Sequence, residues 1–154
     1  MPFRLRTDAR EWFRDIKTPI DFDIYYFCLM VGLAANRKPE VKAEAKDLVN
    51  DFPELYKKNN RLILALFLSR ELRSKGIELN EKVELHAEIS NLVDASEPSR
   101  LSEYGMHELN RYASGGYEAL FEEFPDRPRH LETFLPEYKK YLEGCLSSPE
   151  NTRV

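Results

Sequence analysis

The chain has 154 residues, a mass of 18.1 kDa and a net charge of −4. This length suits one hydrophobic core and is short for two domains. A hydrophobic fraction of 42%, with nine Phe, eight Tyr and one Trp, excludes an intrinsically disordered chain. Two cysteines, Cys28 and Cys145, give neither a disulfide framework nor a paired metal knuckle, so we expect a reducing compartment and a cytoplasmic protein. No weakly charged run is long enough to span a bilayer, and we expect no membrane segment.

The two halves of the chain differ in the sign of their charge. Residues 1–75 carry 15 Lys and Arg against 11 Asp and Glu, a balance of +4, whereas residues 76–154 carry 8 against 16, a balance of −8. Such an asymmetry can mark one surface for an anion and another for a basic partner. Ordinary solvated helix faces of mixed charge give the same count.

Apolar residues recur at helical spacing through most of the sequence. They predict an all-α fold in which about seven helices form a single compact bundle. We assign this helical domain to residues 1–146 and predict a flexible C-terminal tail over residues 147–154.

The first predicted helix is short and carries Arg6, Arg10 and Arg14 four residues apart on one face. Three aligned guanidinium groups can bind phosphate or carboxylate. A solvated face is the simpler alternative, because acidic residues lie between the arginines and dilute their charge.

Residues 24–35 are apolar on almost every side, which predicts a helix at the centre of the core. Gly32 lies inside this helix, and a close crossing with a second helix would explain a glycine there. Arg37 and Lys38 follow just before Pro39. The simplest role of these residues is to end the helix, because cations stabilise its negative end and a proline cannot continue it.

Lys57, Lys58 and Arg61 form the densest basic cluster of the chain. If the fold brings them close to Arg37 and Lys38, the five residues form a patch that faces phosphate. No helix-turn-helix, aromatic RNA-binding platform or zinc finger accompanies the cluster, so contact with nucleic acid is the alternative rather than the first interpretation.

A short amphipathic segment is predicted over residues 41–49, and further helices are predicted after it. Residues 62–68 predict the start of a second, fully buried helix. Residues 80–89 fit both a strand and a helix. We predict a helix there, because the residue types favour it and no second strand pattern offers a partner.

Two glycines, Gly115 and Gly116, are predicted to cap a helix over residues 101–112 and to precede another over residues 117–124. A site where a ligand approaches the backbone is the alternative explanation of the glycine pair. The last predicted helix is kinked or restarted at Pro136.

No motif with a known chemistry is present in the sequence. His86, His107 and His130 are isolated and form no metal-binding spacing, and neither a glycine-rich phosphate loop nor a nucleophile elbow occurs. We therefore predict no catalytic residue, no cofactor and no metal ion.

Two stretches of the chain, FDIYYFCLMVGLAANRK over residues 22–38 and YASGGYEAL over residues 112–120, carry a family resemblance. They resemble small accessory proteins encoded with bacterial DNA phosphorothioation (Dnd) modification and restriction systems. The resemblance implies a place in a DNA-modification or phage-defence operon, where the protein holds larger enzymes or DNA. It carries over no catalytic residue.

Three functions are compatible with these observations. The first is a non-catalytic accessory or adaptor subunit that binds a larger protein subunit of the same system, which predicts an exposed apolar patch. The second is a DNA-contacting module that uses the basic patch, although the acidic total charge argues against a stand-alone DNA binder. The third is a small enzyme of unknown type, which requires a polar cleft whose titratable groups have perturbed pKa values.

Overall fold

The computed structural model of the protein describes residues 1–39, 42–97 and 100–147. Six α-helices dominate these residues, together with two short strands and one 3-10 turn over Glu54–Tyr56. The strands are β1 (Arg4–Arg6) and β2 (Ala45–Asp47). The helices are α1 (Thr7–Trp12), α2 (Phe22–Ala35), α3 (Asn60–Ser74), α4 (Lys82–Leu92), α5 (Glu103–Glu123) and α6 (Leu131–Leu146).

β1 and β2 pair as a small antiparallel sheet with Leu5 opposite Lys46. Leu5 is buried, and the arginines on either side of it are more exposed. The prediction of an all-α fold is therefore wrong in this detail. The segment predicted as amphipathic over residues 41–49, described from residue 42 onward, contains a strand. Three residues are too few to reveal alternation in a sequence, and the strands lie far apart along the chain.

α2 and α5 cross so closely that backbone meets backbone. A Cβ atom on Gly32 would lie 1.8 Å from the carbonyl oxygen of Tyr112, and one on Gly116 would lie 1.6 Å from the carbonyl oxygen of Cys28. Only glycine fits at either position. The close helix crossing predicted at Gly32 is confirmed.

The same crossing corrects the prediction for the glycine pair. α5 continues without interruption through Gly115 and Gly116, so the prediction of two helices separated at these glycines is wrong. Glycine inside a helix costs about 1 kcal/mol relative to alanine, and here the close packing against α2 offsets that cost. The described residues consequently form six α-helices rather than about seven.

The core gathers around α2, which is buried on most of its surface, as its composition predicted. Phe3, just before β1, packs edge-to-face against Tyr25. The hydroxyl of Tyr25 donates a hydrogen bond of 2.8 Å to the side-chain oxygen of Asn110. On the other flank, Phe134 of α6 packs against Phe27. Aromatic packing thus joins the N-terminal segment and α6 to the central helix.

The other two helices in the second half of the chain, α4 and α6, lie where helices were predicted. The helix predicted over residues 80–89 is confirmed as α4. α6 continues through Pro136 as one helix, so the predicted restart there is wrong, whereas the predicted kink stays a prediction. The tail predicted over residues 147–154 lies outside the described residues from residue 148 onward. In the part of the chain that the structure describes, no helix has the length and apolar character that a membrane span requires.

Candidate functional site: an apolar groove beside a buried ion-pair network

An open groove with a volume of about 270 Å³ runs between α3 and α6. Leu33 and Ala34 of α2 are buried and form its floor, whereas Leu66 of α3 and Leu146 of α6 are exposed and form its walls. The remaining lining residues are Met30, Ser69, Arg70, Arg73 and Leu142.

The apolar wall on α3 corrects the prediction of a fully buried helix start over residues 62–68. Ile63 and Phe67 are buried, but Leu62 and Leu66 are 60% and 44% exposed. These two leucines are one helical turn apart and therefore form a continuous stripe on the outer side of α3. A run that is apolar on every side does not reveal which side meets a neighbour, and only the packing decides it.

Two arginines give the groove a cationic edge along α3. The Nε–H of Arg70 donates a hydrogen bond of 2.7 Å to the carbonyl oxygen of Leu33, which fixes this guanidinium beside the floor. Burial lowers the pKa of Arg70 from its ordinary value. Arg73, one turn further along, is exposed. None of the described residues that line the groove is acidic.

A buried ion-pair network fixes the C-terminal end of α2 close to this groove. The ammonium group of Lys38 lies 2.8 Å from a carboxylate oxygen of Glu71 on α3 and 2.8 Å from one of Glu108 on α5. It also lies 5.0 Å from the ring centroid of Tyr112. Glu71 is fully buried and Glu108 is 5% exposed. One lysine therefore joins three helices.

The charges of this network stabilise one another. Burial alone would raise the pKa of Glu71, but the hydrogen bond from Lys38 and the charges of Lys38 and Lys75 hold that pKa below its ordinary value. Burial would lower the pKa of Lys38, and its hydrogen bonds to Glu108 and Glu71 raise it instead. Both partners therefore stay ionised near neutral pH.

The geometry of the network favours a structural role over a catalytic one. A catalytic group must touch its substrate, and the side chain of Glu71 exposes no surface. Sequence reasoning missed both glutamates, since a charged residue among apolar ones on an amphipathic helix is typical of a solvated face. Only the distant Lys38 gives these carboxylates a buried partner.

The structure places Arg37, predicted as part of the basic patch, against acidic residues of α5. Its guanidinium group makes two hydrogen bonds of 2.7 Å to the carboxylate of Glu122. One of its nitrogens also lies 3.4 Å from Glu118. Like Lys38, Arg37 is engaged with carboxylates within the molecule.

The second group of the predicted patch lies elsewhere. Lys57, Lys58 and Arg61 are exposed at the N-terminal end of α3, and Lys57 lies 3.3 Å from Glu54. Glu71, the partner of Lys38, follows Arg61 by ten residues, or about 15 Å along the helix. The structure therefore does not bring the two basic groups together.

The arginine stripe predicted on the first helix is divided among different elements. Arg6 ends β1, Arg10 lies in α1, and Arg14 follows the end of α1. Arg6 lies 2.8 Å from Glu118, and Arg10 lies 3.0 Å from Asp21. Their predicted role in binding an anion stays a prediction.

Comparison with known proteins identifies no relative of this chain. No protein-family model, no curated protein and no solved structure matches this chain. Among the residues that the structure describes, no three His, Cys, Asp or Glu side chains converge as a group that could hold a metal ion. The groove and its surroundings are therefore interpreted from their own chemistry.

Proposed function

We propose that the protein is a non-catalytic adaptor subunit that binds an amphipathic helix of a larger protein subunit in the groove between α3 and α6. The exposed apolar walls of this groove carry the proposal, with Leu66 44% and Leu146 55% exposed. Exposed apolar side chains arranged around a groove are typical of protein docking sites.

The dimensions of the groove support a helix as the occupant. The groove lining on α3 runs from Leu66 to Arg73, which is about 10 Å, or about two helical turns. Two helices form the walls and a third forms the floor, so an inserted helix can pack its side chains between ridges on both sides.

The charge at the edge of the groove supports a partner with an acidic flank. Arg70 and Arg73 stand along α3, and no described lining residue is acidic. A partner helix that carries Asp or Glu beside its apolar face is complementary to this edge. Such complementarity fixes the direction in which the helix lies.

The resemblance of residues 22–38 and 112–120 to small Dnd accessory proteins supports the biological setting of the proposal. In that setting the complex belongs to bacterial DNA modification or phage defence, and the larger subunit carries the catalytic function.

Affinity purification of the tagged protein from its native host, with and without nuclease, tests the proposal when two variants accompany it. Leu66→Glu places a charge on the wall of the groove. Leu135→Glu is the matched control, because Leu135 is 40% exposed on α6 and does not line the groove. We expect one larger protein to be recovered with the wild type and with Leu135→Glu, with or without nuclease, and to be lost with Leu66→Glu.

The identity of the occupant requires a second step with the recovered protein. Arg73→Glu should weaken the complex, and the reversal of a carboxylate on the bound helix of the partner should restore it. Equal recovery with Leu66→Glu and the wild type would contradict the proposal. Recovery that disappears with nuclease would instead favour the DNA-contacting function of Lys57, Lys58 and Arg61.

A further inference from the structure

Helix α4 leaves most of its surface uncovered. Leu92, at its end, is its one buried residue. Leu79, which lies just before α4, and Val83, in its first turn, are 80% and 79% exposed. No other large hydrophobic side chain among the described residues is more than 65% exposed. Ala87, one turn after Val83, is exposed as well. Apolar side chains that lie together in this way indicate an interaction surface.

The charge around these apolar side chains is negative. Residues 78–88 carry four Glu against one Lys, a balance of −3. Glu88 forms an ion pair with Lys75. The other three glutamates are exposed and form no ion pair within the described part of the chain. We define the α4 surface by these unpaired carboxylates and the two most exposed apolar side chains, which are Glu78, Glu81, Glu84, Leu79 and Val83.

A second exposed surface, at the N-terminal end of α3, combines apolar side chains with the opposite charge. Leu55, in the 3-10 turn, and Leu62, in the first turn of α3, are 65% and 60% exposed. Residues 54–61 carry three Lys and Arg against one Glu, a balance of +2. This region is therefore both apolar and basic.

Two cations of this region have no acidic partner. Lys57 lies 3.3 Å from Glu54. Lys58 and Arg61 are exposed and form no ion pair with another described residue. Arg61 also lies in the first turn of α3, where the end of the helix is itself positive and no acidic residue of that turn offsets the charge. We define the α3 surface as Leu55, Leu62, Lys58 and Arg61.

The α3 surface and the α4 surface complement each other, but a single copy of the chain does not join them. Within one chain, α4 meets the opposite end of α3, where Lys75 contacts Glu88. Lys75 follows Leu62 by 13 residues, or about 20 Å along the helix. Both surfaces therefore stay exposed in one copy. A second copy can supply the charge and the apolar contacts that each of them lacks.

We propose that the protein self-associates through a contact between the α4 surface of one copy and the α3 surface of a second copy. The leucine and valine side chains of the two surfaces pack together, and Lys58 and Arg61 face the carboxylates of α4 across the contact. The contact is small, so the association is weak and decreases with salt. Neither surface contains a residue that lines the groove between α3 and α6, and the proposal does not depend on the adaptor function.

Analytical ultracentrifugation of the full chain, freed of nucleic acid, tests the proposal over a wide range of protein concentrations at low salt. We expect the average mass to exceed that of the monomer and to increase with concentration. Lys58→Glu/Arg61→Glu reverses the charge of the α3 surface, and Glu78→Lys/Glu84→Lys reverses that of the α4 surface. Each double variant by itself brings like charges together, and we expect its association constant to decrease at least about tenfold. Circular dichroism checks that both variants fold.

A mixture of the two double variants gives the sharper measurement. The first variant keeps the α4 surface and the second keeps the α3 surface, so the mixture should associate with a constant similar to that of the wild type. Lys139→Glu/Lys140→Glu is the matched control, because both residues are exposed cations of α6 outside the two surfaces. It should associate like the wild type.

Three results would overturn the proposal. The first is a wild type that stays monomeric at every concentration, which would leave a separate basic protein as the partner of the α4 surface. The second is an equal loss of association in the α6 control. The third is a mixture of the two variants that fails to associate.

Discussion

The two sides of α2 differ although the helix is apolar all round. Cys28 and Gly32, one turn apart, lie against α5, where backbone touches backbone. Met30 and Ala34 lie on the opposite side at 3.6 residues per turn and line the open groove. The difference teaches that small residues let two helices close completely on one side of α2, whereas the opposite side of α2 lines a groove.

Substitution at the closed side should have the largest effect on stability. Gly116→Ala would place a Cβ atom 1.6 Å from the backbone carbonyl oxygen of Cys28, which cannot rotate away. We expect the free energy of unfolding to decrease by more than about 4 kcal/mol, at the extreme of single substitutions. Thermal unfolding monitored by circular dichroism measures this loss.

Gly144→Ala is the matched control in α6, because a Cβ atom there meets nothing within 4 Å. It should leave stability unchanged or raise it by up to about 1 kcal/mol, since alanine favours a helix over glycine. Equal effects at Gly116 and Gly144 would show that the closed interface does not depend on glycine.

The ion-pair network at the end of α2 should give the next largest effect. Glu71→Gln removes a fully buried charge and leaves Lys38 with one fewer carboxylate. Removal of one partner from a buried ion pair costs about 3–5 kcal/mol, and we expect the lower end because glutamine keeps the shape. Glu122→Gln, at the exposed partner of Arg37, should change stability little. Urea denaturation of both variants checks this contrast.

The pH dependence of stability sharpens the same comparison. The pKa of Glu71 is lower in the folded protein than its ordinary value of 4.5, so the unfolded chain binds a proton at a higher pH than the folded protein does. The stabilisation by Glu71 is therefore complete above about pH 4.5 and is lost as the pH falls through the lower, folded-state pKa. The difference in stability between wild type and Glu71→Gln should shrink in acid, and a constant difference would contradict the ionic role of Glu71.

The open side should give the smallest effect on stability. Leu66→Glu changes a side chain that is 44% exposed, and a surface substitution of this kind alters the free energy of unfolding by about 0.5 kcal/mol or less. The same variant should lose its protein partner, so binding and stability separate on this side of α2. A loss of stability as large as that of Gly116→Ala would mean that the groove belongs to the core.

The sequence by itself determined the elements whose signal is local. The apolar run of α2 predicted a central helix, the residue types of residues 80–89 predicted α4, and Gly32 predicted a close crossing. Each conclusion depends on side chains within a few turns of one another, and helical periodicity reports directly which of them share a face.

Only the tertiary structure decided the features that join distant residues. Three features depend on segments that lie far apart in sequence. They are the pairing of β1 with β2, the continuity of α5 through Gly116, which packs against Cys28, and the contacts of Lys38 with two buried glutamates. The same holds for the groove between α3 and α6, because a run that is apolar on every side fits a closed or an open face equally well. Which face is covered depends on the helix that packs against it, and one segment of sequence does not contain that information.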